Sequence, residues 1–165
     1  MAYKKKSWQD KMADKDNFPK ILKLESKFPC YRPAAKMGAK EGDDIVMANP
    51  SEVEAIMKKI PRGKLITIYQ ICQKLARQYK VAACCSLTTG IFIMTAANAA
   101  EEMKKEGKKN DAPYWRTLKA DGYLNEKYPG GANAQKKLLE EEGHKVVRKG
   151  QKYRIPDYEK HLAKL

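Results

Sequence analysis

A mainly α-helical domain with small β elements is the fold class this sequence predicts, and three observations predict it. Apolar residues recur at helical spacing behind start signals near residues 49, 67 and 86–89. Extended signals are confined to short runs near residues 65–66, 111–118 and 146–155. The 165 residues suffice for one domain to bury a core without disulfides or a metal.

Lys and Arg number 34 against 20 Asp and Glu, a formal charge of +14. Such an excess repels itself unless a polyanion offsets it, so nucleic acid is the favoured partner, with a merely solvated basic surface as the alternative. Cys30, Cys72, Cys84 and Cys85 show no C-x-x-C spacing, and an adjacent pair is poorly placed to bridge itself. A reduced compartment fits, and a cytoplasmic protein is expected. No apolar run follows the basic residues 1–6, so no secretory leader is expected. The most apolar stretch, residues 90–100, is shorter than the roughly 20 residues a bilayer requires. His144 and His161 are remote in sequence from the cysteines, so neither a metal nor a cofactor is expected.

Residues 1–44 are lysine-rich and broken by Pro19, Pro29, Pro33, Gly38 and Gly42, which reads as a basic arm with one short helix near residues 7–12. Trp8, Phe18, Ile21 and Leu24 are the candidates that pin it to a domain over residues 45–165. The arm is then either a packing strap or a contact to nucleic acid. The first strong helix starts at Asn49, with Pro50 at its first position and Glu52 in capping-box register; Val53, Ile56, Met57 and Ile60 form its apolar face, and Pro61 ends it. Thr67 and Gln70 repeat the start signal for a helix with Ile68, Ile71, Cys72 and Leu75 inward. Residues 81–85 read as a connector to a third helix, capped by Ser86, Thr88 or Thr89.

The first turn of that third helix is built of small polar residues, which lets a phosphate approach its free backbone N–H groups. A short helix followed by such a helix is a helix-turn-helix arrangement, with Ser86, Leu87, Thr88, Thr89 and Gly90 presented to a groove. Asp111 to Leu118 reads as a strand or extended loop, followed by a turn at Tyr128, Pro129, Gly130 and Gly131. A further helix over residues 132–142 stops at Gly143. Val146 to Ile155 reads as a basic hairpin whose Arg148, Lys149 and Lys152 suit phosphate contacts, and a hairpin there is a wing. A short helix over residues 157–165 closes the chain. Together these elements predict a winged helix-turn-helix-like DNA-binding domain.

In their order and spacing three motifs resemble the C-terminal domain of the alkylguanine-DNA alkyltransferases and their alkyltransferase-like relatives. They are Ile60-Pro61-Arg62-Gly63-Lys64 with Thr67-Ile68-Tyr69-Gln70-Ile71, then Pro113-Tyr114-Trp115-Arg116, then Tyr128-Pro129-Gly130-Gly131 leading to Glu142-Gly143-His144. The resemblance covers residues 53–147. It implies a winged helix-turn-helix domain that enters the DNA minor groove and swings an alkylated guanine into a pocket, where the cysteine of a Pro-Cys-His-Arg motif takes the alkyl group. Tyr114 and Trp115 stand here at the cysteine and histidine positions. A phenol has a pKa of about 10 and an indole has no basic nitrogen, so neither supplies an activated thiolate and no catalytic residue is expected.

The alkyltransferase-like relatives also lack the cysteine and are understood to bind alkylguanine and mark it for other repair proteins. The resemblance therefore implies alkylated double-stranded DNA and repair proteins as partners, and a lesion pocket of Tyr114, Trp115, Arg116, Tyr128, Gly130, Gly131 and Glu142. Lys64, Tyr69 and Gln70 join the DNA contacts, Tyr69 matching the tyrosine set against the flipped nucleotide's phosphate. The family's base-displacing arginine has no counterpart between Arg77 and Arg116, where Leu87 is the nearest candidate. The alternatives are a lesion-independent winged-helix binder of DNA or RNA, or regulator, and an enzyme that uses another cysteine, Cys85, or an untypical nuclease or glycosylase chemistry.

Overall fold

The computed structural model describes residues 5–165, and the first four residues of the basic arm lie outside the described residues. Helix α1 (Trp8–Ala13) starts behind Ser7, whose hydroxyl accepts from the Asp10 N–H. Strand β1 (Lys20–Lys23), helix α2 (Tyr31–Lys36) and strand β2 (Asp44–Met47) follow, then α3 (Pro50–Lys58) with Asn49 at its cap, as its start signal predicts. Strand β3 (Ile66–Thr67) runs into α4 (Ile68–Tyr79), where Thr67 and Gln70 form the complete reciprocal capping box. Strand β4 (Ala83–Cys84) leads to α5 (Ser86–Lys105).

The segment expected as an arm carries two helices and a strand of its own, and residue 44 is the first residue of β2. Strands β1 and β2 pair antiparallel from Lys20↔Met47 to Lys23↔Asp44, and β2 pairs parallel with β4 through Ile45↔Ala83 and Val46↔Cys84. Leu24, Cys30, Ala34 and Ile45 close a small core with Ala83 and Cys85. The short helix expected near residues 7–12 is α1, whereas β1, α2 and β2, at four to six residues each, are too short to show a period and were illegible as secondary structure. The connector expected over residues 81–85 contains β4, and α5 takes Cys85 rather than a hydroxyl as its cap, with no side-chain cap bond.

The stretch 111–118, expected as a strand or extended loop, has a 3₁₀ turn at its centre (Tyr114–Arg116), and its strand is the two-residue β5 (Thr117–Leu118). It pairs parallel with β3 through Ile66↔Thr117 and Thr67↔Leu118, which seats the Pro-Tyr-Trp-Arg motif beside the start of α4. Helix α6 (Gly131–Glu141) and the hairpin of β6 (Val147–Lys149) and β7 (Lys152–Arg154) follow where expected. The closing helix is a 3₁₀ turn (Tyr158–His161), after which the tail bridges to Leu65. The main core gathers α3, α4 and α5 around Met57, Ile71, Leu75 and Ala96. Among the described residues no helix is long and apolar enough to cross a membrane.

His144 docks the closing turn from below. His144 is 4% exposed, its ring packs edge-on against His161 with centroids 5.0 Å apart, and neither nitrogen has a hydrogen-bond partner among the described residues. Burial, then the charge of His161 and of Arg116, hold this imidazole below its usual range, outweighing Glu142 and Asp157, which pull the other way. A base with a depressed folded pKa takes up its proton more readily in the unfolded chain. This contribution to stability is therefore intact above about pH 6.5 and is lost as pH falls from there towards the folded value. Urea unfolding as a function of pH is expected to show this loss, and His144→Phe to flatten it.

Candidate nucleic-acid interface

Helices α4 and α5 form the expected helix-turn-helix pair, with β4 inside the turn. The exposed side of the start of α5 carries Leu87 and Ile91, which are 54% and 56% exposed, with half-buried Ser86, Thr88 and Gly90 around them. Two large apolar side chains left in solvent at a helix start are an unusual expense unless something covers them. No acidic residue lies in the first turn, so the helix end keeps its positive potential. Thr89 does not share this surface: it is 1% exposed, and its hydroxyl donates to the Cys85 carbonyl at 2.8 Å. Of the α4 candidates, Tyr69 is exposed, its hydroxyl 3.3 Å from the Lys36 carbonyl, while the Gln70 side chain is occupied by the Thr67 N–H and the Ala163 carbonyl.

Beside α5 lies an open groove of about 380 Å³, bounded by Leu87, Gly90 and Met94 on one side and by Thr117, Asn125 and Tyr128 on the other. A second open cavity, of about 390 Å³, lies beside Tyr114 and is bordered by Glu101, Pro129, Gly130 and Leu138. Glu101 is fifteen residues beyond Ser86, about 22 Å along the helix, so the second cavity is remote from the exposed helix start. Tyr128 borders the first and Tyr114 the second, and their rings meet edge-on at 5.4 Å.

The aromatic residues expected to wall one pocket thus pack on each other. Tyr114 and Tyr128 are 5% and 3% exposed, and Tyr114 also meets Trp115 edge-on at 5.5 Å. The Tyr128 hydroxyl donates to the Thr117 carbonyl at 2.9 Å, and the Tyr114 hydroxyl donates to Glu101 Oε1 at 2.8 Å. Burial, then the hydrogen bond to Glu101 and its charge, push the Tyr114 phenol well above its ordinary range, so a phenolate nucleophile is out of reach. Trp115 Nε1 donates to Glu142 Oε1 at 3.0 Å, and Arg116 adds three contacts to the same carboxylate, the shortest 2.7 Å, while its Nη1 donates to the Ile60 carbonyl at 2.6 Å. Burial pushes the Glu142 carboxyl up, but the hydrogen bonds of Arg116 and Trp115 and the guanidinium charge outweigh it and hold it below its usual range. Trp115, Arg116 and Glu142 therefore brace the site and border neither cavity. Gly130 and Gly131 have positive φ, and a Cβ on Gly130 would stand 2.7 Å from the Cβ of Ala134, which ties the turn tightly to α6.

All four cysteines are buried. Cys85 is 2% exposed, with the Thr88 hydroxyl donating to its sulfur at 3.3 Å. Burial first, then the Cys85 neighbour, pushes the Cys30 thiol up to about 12, and its bond to Cys84 together with burial pushes Cys72 further. Cys84 is drawn the other way, below its ordinary range, by the same contact with Cys72 and by Thr89 against the effect of burial, but it is 0% exposed, so none of the four presents an activated thiolate to a substrate.

On the hairpin, Arg148, Lys149 and Lys152 are exposed, Arg148 bracing the Gly150 carbonyl at 3.0 Å, and Lys64 is exposed on the turn before β3. Arg148→Ala and Lys152→Ala are each expected to weaken duplex binding about two- to five-fold regardless of sequence and to lower the salt slope by about 0.9. Titrations at several salt concentrations measure this, and loss for one sequence alone would remove the hairpin from the phosphate-contacting surface.

Several residues of the site carry no motif. Gln135 is 1% exposed, accepts from the Asn125 N–H at 2.7 Å and donates to the Trp115 carbonyl at 3.0 Å, fixing the loop that borders the groove. Its signal was present: a polar residue four before the buried Leu139 on one helix face needs a partner. Glu101, the first acid after the apolar run of α5, gave a similar signal. Thr117, Asn125 and Met94 gave none.

No protein-family model matches the sequence, and no curated protein matches it. Similar solved structures include the ATL protein of S. pombe in complex with DNA, with 20% identity and a TM-score of 0.51, covering 70% of this chain and 94% of that one. Another is S. pombe Atl1 in complex with damaged DNA containing O6-carboxymethylguanine, with 20% identity, a TM-score of 0.49 and the same coverage. The chain has the fold of the S. pombe alkyltransferase-like protein, built from helices and small sheets around a helix-turn-helix pair.

Proposed function

We propose that this protein binds double-stranded DNA through the start of α5 and the β6–β7 hairpin, and holds an alkylated guanine, turned out of the duplex, without transferring its alkyl group. The observation that carries the reading is the groove directly beside the exposed Leu87 and Ile91, so that a side chain wedged into the stack and a space for the displaced base adjoin. The net charge, and the DNA bound to the S. pombe protein of the same fold, support DNA as partner. The tyrosine at the nucleophile position, with its proton held by Glu101, supports recognition without chemistry. Such a protein acts in repair by presenting the lesion to other proteins. Anisotropy titration of a short duplex between about 50 and 200 mM salt is expected to show a steep salt slope and a loss of affinity in Leu87→Ala. Unchanged affinity in that variant would remove the wedge from the account.

A second reading is favoured by one observation, the mutual packing of Tyr114, Trp115 and Tyr128 where the motifs place the lesion pocket. In it the pocket is filled by its own aromatics, and the protein binds duplexes irrespective of damage. A single alkylguanine separates the two.

A further inference from the structure

We infer that Trp8 and Thr117 make the groove beside α5 a nucleobase site, the Trp8 indole being the face on which a displaced base stacks and the Thr117 hydroxyl the group that reads its edge. This rests on the DNA-binding reading and names the residues that receive the base. The aromatics that the motifs single out are engaged elsewhere: Tyr114 and Trp115 do not border the groove, and Tyr128, which does, is 3% exposed and packed on Tyr114. Trp8 does border it and is half-buried. It stands on α1, a helix with no buried residue that is tied to α5 through Glu102, whose carboxylate accepts from the Trp8 and Gln9 N–H groups at 3.2 and 3.3 Å. Lys11 adds a cation 4.2 Å from the centre of its ring.

Thr117 supplies the second, independent observation. It lines the same groove at 2% exposure, and its hydroxyl is buried with no hydrogen-bond partner among the described residues, while its carbonyl already receives Tyr128 and Gln135. A buried hydroxyl without a partner is a loss that folded proteins seldom keep, and at the wall of an open groove a ligand's polar edge removes it. The ligand so described has an aromatic face and a hydrogen-bonding edge, the two properties every nucleobase shares. The groove's volume of about 380 Å³ lies in the roughly 300–1,000 Å³ range of ligand sites.

The test uses duplexes with one mismatched 2-aminopurine, titrated with the wild type, Trp8→Ala, Trp8→Leu and Thr117→Val. Wild type is expected to change the 2-aminopurine emission on binding. Both Trp8 variants are expected to bind at least about ten-fold more weakly and to leave the displaced base brighter, because it no longer stacks on indole. Trp8→Leu keeps the apolar bulk, so its loss is not one of packing. Thr117→Val is expected to weaken binding about five-fold while leaving the unfolding midpoint of the free protein unchanged or higher, since it removes an unpaired hydroxyl. Variants that match wild type in affinity and emission, while wild type still displaces the base, would overturn this assignment and leave the DNA reading standing. Tight binding by wild type with no change of emission would overturn this assignment together with the displaced base of the proposed function, and leave duplex binding alone standing.

Discussion

Arg116→Ala is expected to lower the unfolding free energy by about 3–5 kcal/mol, read as a shift of the urea midpoint. The two side chains of the Arg116–Glu142 pair are 13% and 4% exposed, so removing the guanidinium strands a carboxylate that keeps the Trp115 N–H and a backbone contact from Gly63 but no counter-charge, and it also leaves the Ile60 carbonyl unpaired. A surface pair would contribute about 0–1 kcal/mol and would not register at this size. Glu142→Ala is expected to cost a similar amount, leaving a buried cation. Joint replacement of both by apolar residues of similar volume is expected to recover much of the loss, because the desolvation of both charges is removed together. In the alkyltransferases that this motif resembles, the matching positions surround a reacting cysteine. Here they hold the turn between β3, β5 and α6 in place.

Tyr114→Ala carries the second large effect, about 3–5 kcal/mol, from the cavity left by a buried ring and from two edge-on aromatic contacts. Tyr114→Phe keeps the ring and loses the bond to Glu101, so a cost of about 1 kcal/mol is expected. Thermal unfolding of the two variants separates the ring from the hydroxyl. A small effect of Tyr114→Ala would mean that the ring is not core, and that it faces the cavity beside Glu101 as a binding wall.

Helices α3 and α4 were legible because each announces its start. Asn49 with Glu52 and Thr67 with Gln70 are capping signals whose mechanism is local, and the structure forms both. The hairpin was legible from its turn at Gly150, which has positive φ. The sheet of β1, β2 and β4 was not, since its strands of two to four residues are selected by partners distant in sequence rather than by their own period. The site divides along the same line. The Pro-Tyr-Trp-Arg and Tyr-Pro-Gly-Gly motifs locate the right region, but the orientation of Trp115 is decided by Glu142, 27 residues away, and that of Tyr128 by Thr117. Motif spacing cannot convey that these rings turn inward. Thr89 shows the same limit: its side of α5 is set by Cys84 of β4 and by the Cys85 carbonyl, and β4 itself is held by pairing with the distant β2.

The central claim is recognition of an altered base without reaction. Its most direct measurement is a paired titration of two duplexes that differ only in one O6-alkylguanine, at fixed salt, with the intact mass of the protein recorded afterwards. The account predicts at least about ten-fold tighter binding of the altered duplex and an unchanged protein mass. Equal affinity for the two duplexes, or a mass increased by the alkyl group, would contradict it.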